Sequence, residues 1–176
     1  MGVIYWDGDG IKDANEESAI TDSSGAFTLK TTSSTARLVV DSNDASVNEA
    51  SGHVLSSGIQ FFAPGGSTVV SPITTLMVYT GFDSDQIKTA LGFSAAIAES
   101  IGDVKTFNPV ADTDFTAAEL AYVQVSEQLL ALGYVMTAIA IGSGVPDARV
   151  EGLIADVFED LASKESLSIR PVSGSA

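Results

Sequence analysis

The stretch FFAPGGSTVVSPITTLMVYTG, residues 61–81, marks a change of pattern along this chain. Up to Val70 it carries the Pro, Gly and β-branched residues that are typical of strands and turns. Ser71 and Pro72 form a helix-start signature, because a serine side chain caps free backbone amides and proline is preorganised for the first helical turn. Apolar residues then recur at helical spacing until Gly81, which predicts the helix end. The sequence therefore predicts a β-rich part followed by an α-helical part.

Before this junction, short apolar alternations are separated by Gly, Ser, Asp and Asn, as is typical of strands and turns. Strands are predicted at Val3–Trp6, Ala19–Thr21, Ala26–Thr31, Arg37–Asp41, Gly58–Ala63 and Thr68–Val70. The segment Ser42–Ser57 has few large apolar residues, and we expect it to be a loop.

After the junction the apolar period lengthens to that of helices. Helices are predicted from Pro72 to Thr80, over Ser84–Leu91, over Ala95–Ile101, from Thr113 or Asp114 to about Ile141, and from Asp147 onward. The segment Leu129–Ile141 is apolar on nearly every side, which is typical of a central helix with neighbours all round it. It is also too short to span a bilayer, so we expect no membrane insertion.

Together these elements predict an α+β fold. We expect an N-terminal antiparallel β-sandwich-like part over residues 1–70 and a C-terminal helical bundle over residues 71–176. If the β part is incomplete and lacks upstream strands, Val3–Trp6 is an exposed edge that can support a homodimer.

The charge of the chain is strongly lopsided, with 23 acidic residues against 8 basic ones and a net charge of −15. Such a field repels phosphate backbones and anionic lipid, so we expect no nucleic-acid partner. The chain has no cysteine and one histidine, which excludes disulfides, thiolate metal sites and histidine metal clusters. A Ser–His–Asp triad would depend on His53, and no Gly-x-Ser-x-Gly elbow supports one.

An aspartate-rich segment, YWDGDGIKDANEE at residues 5–17, is the most specific motif. Calcium takes six to eight oxygen ligands, and closely spaced carboxylates around a tight glycine turn supply them. The spacing D-x-D-G-x-x-D-x-x-E fits one loop around one ion. The predicted calcium ligands are the carboxylates of Asp7, Asp9, Asp13 and Glu16 and the carbonyl of Ile11.

This segment resembles the calcium loops of EF-hands, thrombospondin type 3 repeats and dockerins. Together with TDSSGAFTL at residues 21–29, it is more closely similar to a turn in the prealbumin-like β-sandwich modules of large bacterial adhesins, including the B-type repeats of Gram-positive surface proteins. The resemblance implies the same five ligands and a prealbumin-like fold. It departs at Tyr5, which stands where the family has its first aspartate, so one carboxylate ligand is missing.

The stretch FAPGGSTVVSPITTL, residues 62–76, resembles a junction between a β-module and helices in long bacterial extracellular proteins. Both resemblances imply a non-enzymatic, calcium-stabilised module of a bacterial surface or secreted protein, with a structural or adhesive role. Its partners would be an extracellular ligand or neighbouring modules of the same chain. Two alternatives stay open. One is a binding module whose helical half holds a peptide, glycan or small apolar ligand. The other is an enzyme, which would need a cleft that gathers Asp or Glu residues from both halves.

Overall fold

The computed structural model describes residues 2–7, 13–30, 33–48, 52, 54–55, 59–111 and 114–163. Its strands and helices are β1 Val3–Asp7, β2 Ser18–Ile20, β3 Arg37–Asp41, β4 Gln60–Ala63, α1 Pro72–Thr80, α2 Ser84–Ala90, α3 Ala95–Ile101, α4 Ala117–Gly142 and α5 Asp147–Ser163. The predicted α+β class is confirmed. The strands form one open antiparallel sheet, and a second sheet facing it is not found among the described residues.

The sheet has the order β2-β1-β3-β4. Strand β1 pairs with β2 on one side and with β3 on the other, with Ile4 opposite both Ala19 and Val40. The prediction that Val3–Trp6 is an exposed edge is therefore wrong, because both sides of this strand carry ladder partners. Among the described strands the edges are β2 and β4, and a homodimer through an edge strand stays a prediction.

Two predicted strands do not form in the described residues. The segment 26–30 packs Phe27 and Leu29 against the sheet, yet it joins no ladder. The alternation of apolar and polar residues in this segment arises because one of its sides packs on the sheet. It does not indicate a hydrogen-bonded partner strand. The segment Thr68–Val70 also lies outside the sheet, and the amides of Thr68 and Val69 both donate to the carbonyl of Lys105 at 2.9 and 3.1 Å.

Both faces of the sheet are covered, and the period-2 alternation of the strands decides which residues point to each face. One face buries Tyr5, Val39 and Phe62 beneath helix α1. The other face carries the second set of apolar side chains, which pack with the segment 26–30 and with Val70: Ile4, Trp6, Leu38, Val40 and Ala63.

Helix α1 begins as predicted, with Ser71 as its N-cap in a capping box with Thr74 and Pro72 in its first turn, and it ends at Gly81 with φ 68°. Its first turn is bonded directly to β4. Oγ1 of Thr74 donates to the carbonyl of Phe62 at 2.8 Å, and the amide of Phe62 donates to Oγ1 of Thr75 at 2.9 Å. Both threonines are buried. The helix start thus takes the place of a further strand beside β4.

The five helices share one core. Its buried residues are Ile73, Leu76, Met77, Ile87, Leu91, Ile101, Val104, Ala118, Tyr122, Val125, Leu129 and Phe158. Tyr79 in α1 joins this core to the sheet, because its ring centroid lies 5.8 Å from that of Phe62 and 6.5 Å from that of Phe158.

Helix α4 begins later than predicted, because Thr116 and Glu119 form a reciprocal capping box that fixes its start at Ala117. Its second half is exposed on one side, with Val135 at 55% and Ile139 at 63% exposure. The prediction of a central helix surrounded by neighbours is therefore wrong in the described structure. Apolar residues on every side of a helix do not by themselves mean that other elements pack against every side.

The whole of α4 also meets, by length and composition alone, the requirements of a membrane-crossing helix. It has 26 residues, and 17% of its most apolar window is buried in the described structure. The apolar stretch Leu129–Ile141 is the second half of this helix, as the sequence predicted. Core helices of soluble proteins pass the same test, so the absence of membrane insertion stays a prediction.

Candidate functional site

The aspartate-rich segment joins β1 to β2, which are neighbouring antiparallel strands of the sheet. Asp7 is the last residue of β1, and Asp13 and Glu16 lie shortly before β2. The predicted ligands Asp9 and Ile11 lie outside the described residues. The segment is thus the connection of a β-hairpin.

Asp7 is buried, and its carboxylate is paired with a cation of the chain. Arg37 Nε donates to Oδ2 of Asp7 at 2.9 Å, and the two residues are direct partners across the β1–β3 ladder. The guanidinium also lies 4.5 Å from the ring centroid of Phe62. The buried charge of Asp7 is therefore compensated by the protein, which sequence reasoning did not foresee.

Asp13 and Glu16 close a turn on each other. The amide of Asp13 donates to Oε2 of Glu16 at 2.9 Å, and the amide of Glu16 donates to the carbonyl of Asp13 at 3.2 Å. These bonds place the Glu16 carboxylate beside the backbone of Asp13. They also occupy one oxygen of Glu16 with a backbone donor.

Tyr5, at the position of the missing ligand, lies among carboxylates. Its pKa is raised to about 12, first by burial and then by Asp41, to which it is hydrogen bonded, with smaller contributions from Asp7 and Glu16. Two predicted ligands therefore lie within electrostatic reach of one hydroxyl. Within the described ranges no three acidic or histidine side chains are grouped as a metal site.

The second part of the resembling segment is a turn held by Asp22. Its Oδ1 accepts from the amide and the hydroxyl of Ser24 at 2.8 and 2.7 Å and from the amide of Ala26 at 3.0 Å. These bonds, the Ser24 hydroxyl foremost, lower the pKa of Asp22. Asp22 thus has a local structural role in this turn.

A cavity of about 1000 Å³ lies beside the sheet, on the face opposite to helix α1. Trp6, Val40 and Phe61 of the sheet line it, as do the turn at Asp22–Ala26 and the loop after β3. The first half of α4 supplies Tyr122, Val123, Ser126 and Glu127. The segment before α1 and the first residue of that helix supply Ser67 to Pro72. Its size is at the upper end of the range of small-molecule sites, roughly 300–1000 Å³.

The polar groups of this cavity divide into paired and unpaired ones. Asn48 Nδ2 donates to Oε1 of Glu127 at 2.6 Å, and the hydroxyls of Ser71 and Tyr122 lie 2.8 Å apart. Burial raises the pKa of the Tyr122 hydroxyl, against a smaller lowering by the Ser71 hydrogen bond. The hydroxyls of Ser67 and Ser126 are buried and find no hydrogen-bond partner in the part of the chain that the structure describes.

Sequence reasoning missed this cavity because its walls come from segments far apart in the chain. One signal was present. Ser126 lies on the same helical face as Tyr122 and Leu129, and a hydroxyl in an apolar stripe indicates either a hidden partner or a ligand.

Acidic residues from both halves, Asp22 and Glu127, line the cavity, as the enzyme alternative would need. Both carboxylates accept hydrogen bonds from the chain, Asp22 from Ser24 and Ala26 and Glu127 from Asn48. The lowered pKa of Asp22 keeps it ionised, and a general acid needs a raised one.

No protein-family profile matches this chain, and no curated protein and no solved structure is detectably similar to it.

Proposed function

We propose that the chain is a calcium-stabilised, non-enzymatic module of a bacterial surface or secreted protein, with a structural or adhesive role. The observation that carries this proposal is the position of the acidic segment. The segment connects two adjacent strands. An ion bound by its carboxylates would therefore hold the short edge strand β2 against β1.

The local contacts support calcium ligation by the two ends of the segment. The hairpin brings the end of β1 next to the start of β2, because Tyr5 pairs with Ser18. Asp7 and Glu16 both act on the hydroxyl of Tyr5. A cation between such carboxylates would relieve their mutual repulsion and would hold the predicted five ligands, Asp7, Asp9, Ile11, Asp13 and Glu16, around one centre.

Arg37 sets a condition on this proposal. Its guanidinium occupies Oδ2 of Asp7, so Asp7 would bind calcium through Oδ1 or exchange the guanidinium for the ion. With Tyr5 in place of a carboxylate, water would complete the coordination shell.

We also infer a prealbumin-like β part followed by a helical bundle. The antiparallel sheet supports a prealbumin-like β part, and the common core of α1 to α5 supports a helical bundle. We place the module outside the cell, with neighbouring modules of its chain or an extracellular ligand as partners.

Thermal unfolding in calcium, in magnesium and after chelation tests the metal site. An ion that binds the folded chain stabilises it by linkage, so calcium should raise the melting temperature by several degrees. Asp9→Ala should abolish that rise. Asp44→Ala, which changes an exposed acid in the turn after β3, should keep it. Identical curves in all conditions would reduce the segment to a solvated turn.

A second candidate function, a ligand-binding module, is favoured by the cavity between the sheet and α4. Its volume and its apolar walls are those of a binding site. The two functions are compatible, because the described calcium ligands Asp7, Asp13 and Glu16 do not line the cavity.

A further inference from the structure

The second half of helix α4 carries an exposed stripe that lies on one side of the helix, because its members follow one another at helical spacing. Val135 and Ile139, two of its large apolar residues, are among the most exposed of the chain. On the opposite side of the helix, Leu129 and Ala140 are buried. The residues of this α4 stripe are Ala131, Tyr134, Val135, Ala138, Ile139 and Gly142.

The α4 stripe carries no charge. Residues 128–146 contain no Asp, Glu, Lys or Arg, although the whole chain has a net charge of −15. Two copies of such a chain repel each other, and the repulsion is weakest where neither surface carries charge. A second copy therefore meets little electrostatic resistance at the stripe.

The area of the stripe is sufficient for a small specific interface. Together with the exposed Ile141 beside it, the stripe exposes on the order of 500 Å² per chain, as much as the largest apolar patch of a typical monomer. Two copies packed through it would bury about 1000 Å² in total, the size at which specific interfaces begin.

The spacing of the stripe is complementary to itself when the second helix runs antiparallel. A two-fold axis between Val135 and Ala138 places each of these residues opposite the other in the second copy, as in any isologous contact. Small residues then stand at two of the three levels, so the helix axes can approach closely. The facing pairs are Val135 with Ala138, Tyr134 with Ile139, and Ala131 with Gly142.

A lipid surface fits the stripe less well than a second copy. Helices that lie on membranes carry Lys or Arg beside their apolar face, whereas residues 117–163 contain Arg149 as their single basic residue. The stripe covers about 18 Å of helix, against a hydrocarbon core of about 30 Å. Anionic headgroups would also repel the acidic chain.

We propose that the chain forms a homodimer through the α4 stripe, with the two α4 helices antiparallel about a two-fold axis between Val135 and Ala138. The interface is small, so the dimer should have a Kd of roughly 1–100 µM. It uses a different surface from the edge strands β2 and β4, and it is independent of the calcium site and of the cavity.

Sedimentation velocity of the full chain over about 1–500 µM tests the dimer, because this range brackets the expected Kd. The expected result is a monomer–dimer equilibrium. Val135→Glu and Ile139→Glu should each weaken the dimer about tenfold or more, because burying an unpaired carboxylate is unfavourable. Both positions are exposed in one chain, so both variants should keep the parent's circular dichroism. The matched control is Ile20→Glu, which adds the same charge at an exposed position of β2 and should keep the equilibrium.

Introduced cysteines establish the orientation of the helices, because the parent chain has no cysteine. Under mild oxidation, a mixture of Ala131→Cys and Gly142→Cys should form a mixed disulfide dimer. Ala131→Cys alone should not link to its own copy, because the two positions would lie about 17 Å apart along the helices, beyond the reach of a disulfide. The reverse pattern would overturn the antiparallel arrangement.

Three results would overturn the dimer itself. The first is a monomer at every concentration. The second is a dimer that survives both Val135→Glu and Ile139→Glu, and loss of that dimer in Ile20→Glu would assign the association to the edge strand β2. The third is a chain that stays monomeric and floats with phosphatidylcholine vesicles unless Ile139 is replaced by Glu, which would assign the stripe to lipid.

Discussion

Arg37 and Asp7 face each other across the β1–β3 ladder, with Nε of Arg37 2.9 Å from Oδ2 of Asp7. Asp7 is almost fully buried, while the arginine side chain is one-third exposed and covers the ring of Phe62. The pair therefore covers the end of the sheet at which β1 continues into the acidic segment.

Replacing this arginine should destabilise the fold. Arg37→Met leaves a buried carboxylate without its guanidinium, and the free energy of unfolding should fall by about 1–3 kcal/mol, less than for a fully buried pair because Arg37 reaches solvent. Chemical denaturation at neutral pH measures the change. Arg149→Met on the exposed side of α5 is the matched control, and equal effects of the two substitutions would contradict the role assigned to the pair.

The bond between β4 and α1 gives a second prediction. Thr75→Val keeps the shape of the side chain but leaves the buried amide of Phe62 without its acceptor, at a cost of about 1–3 kcal/mol in unfolding free energy. The exposed Thr89, whose hydroxyl bonds within α2, provides the control: Thr89→Val should change stability by no more than about 0.5 kcal/mol. Slow hydrogen exchange of the Phe62 amide in the parent and faster exchange in Thr75→Val would identify the bond directly.

The buried Tyr122 should make the folded chain less stable at alkaline pH. Burial raises its pKa in the folded chain above the ordinary value of 10.0, so the folded state holds this proton more tightly than the unfolded state. The protonated hydroxyl of Tyr122 therefore contributes its full stabilisation of the folded state below pH 10.0, and this stabilisation is lost as the pH rises above that value. Tyr122→Phe should lower the unfolding free energy by about 1 kcal/mol at neutral pH.

Above that pH the Tyr122→Phe variant should lose stability less steeply than the parent. Some decline should remain, because the pKa of Tyr5 is also raised. Urea unfolding at several alkaline pH values measures both slopes. The half-exposed Tyr134 gives the control Tyr134→Phe, and a parent curve that matched Tyr122→Phe at every pH would contradict the prediction.

The two halves of α4 should respond differently to truncation. Leu129→Ala removes a buried core side chain and should cost about 2–5 kcal/mol. Ile139→Ala, at an exposed position, should cost at most about 0.5 kcal/mol. Denaturant titration separates the two outcomes. A large loss from Ile139→Ala would show that the second half of α4 is covered in solution.

Local sequence signals predicted much of the fold, because the relevant physics is local. The Ser71-Pro72 start and the Gly81 stop act within one helical turn, and the structure confirms the helix between them. Strand β3 was predicted to the residue, since its apolar run is buried between two neighbours.

Most of the wrong predictions concern which segments pack against one another. The alternation at Ala26–Thr31 could not say whether a ladder partner exists, and the apolarity of Leu129–Ile141 could not say how many neighbours pack on it. The cavity and the Arg37–Asp7 pair depend on residues that only the folded chain brings together. The predicted calcium ligation stays a prediction, because Asp9 and Ile11 lie outside the described residues.

Helix α1 belongs to the sheet and to the helical core at once, through the threonines bonded to β4 and through Tyr79 between Phe62 and Phe158. One consequence is cooperativity: the strands cannot melt without uncovering the helix that anchors the others. Far-ultraviolet circular dichroism, which is dominated by the helices, should therefore report an event at the β1–β2 hairpin. A fragment ending at Val70 should fail to fold, since it would lose the helix that covers one side of its sheet.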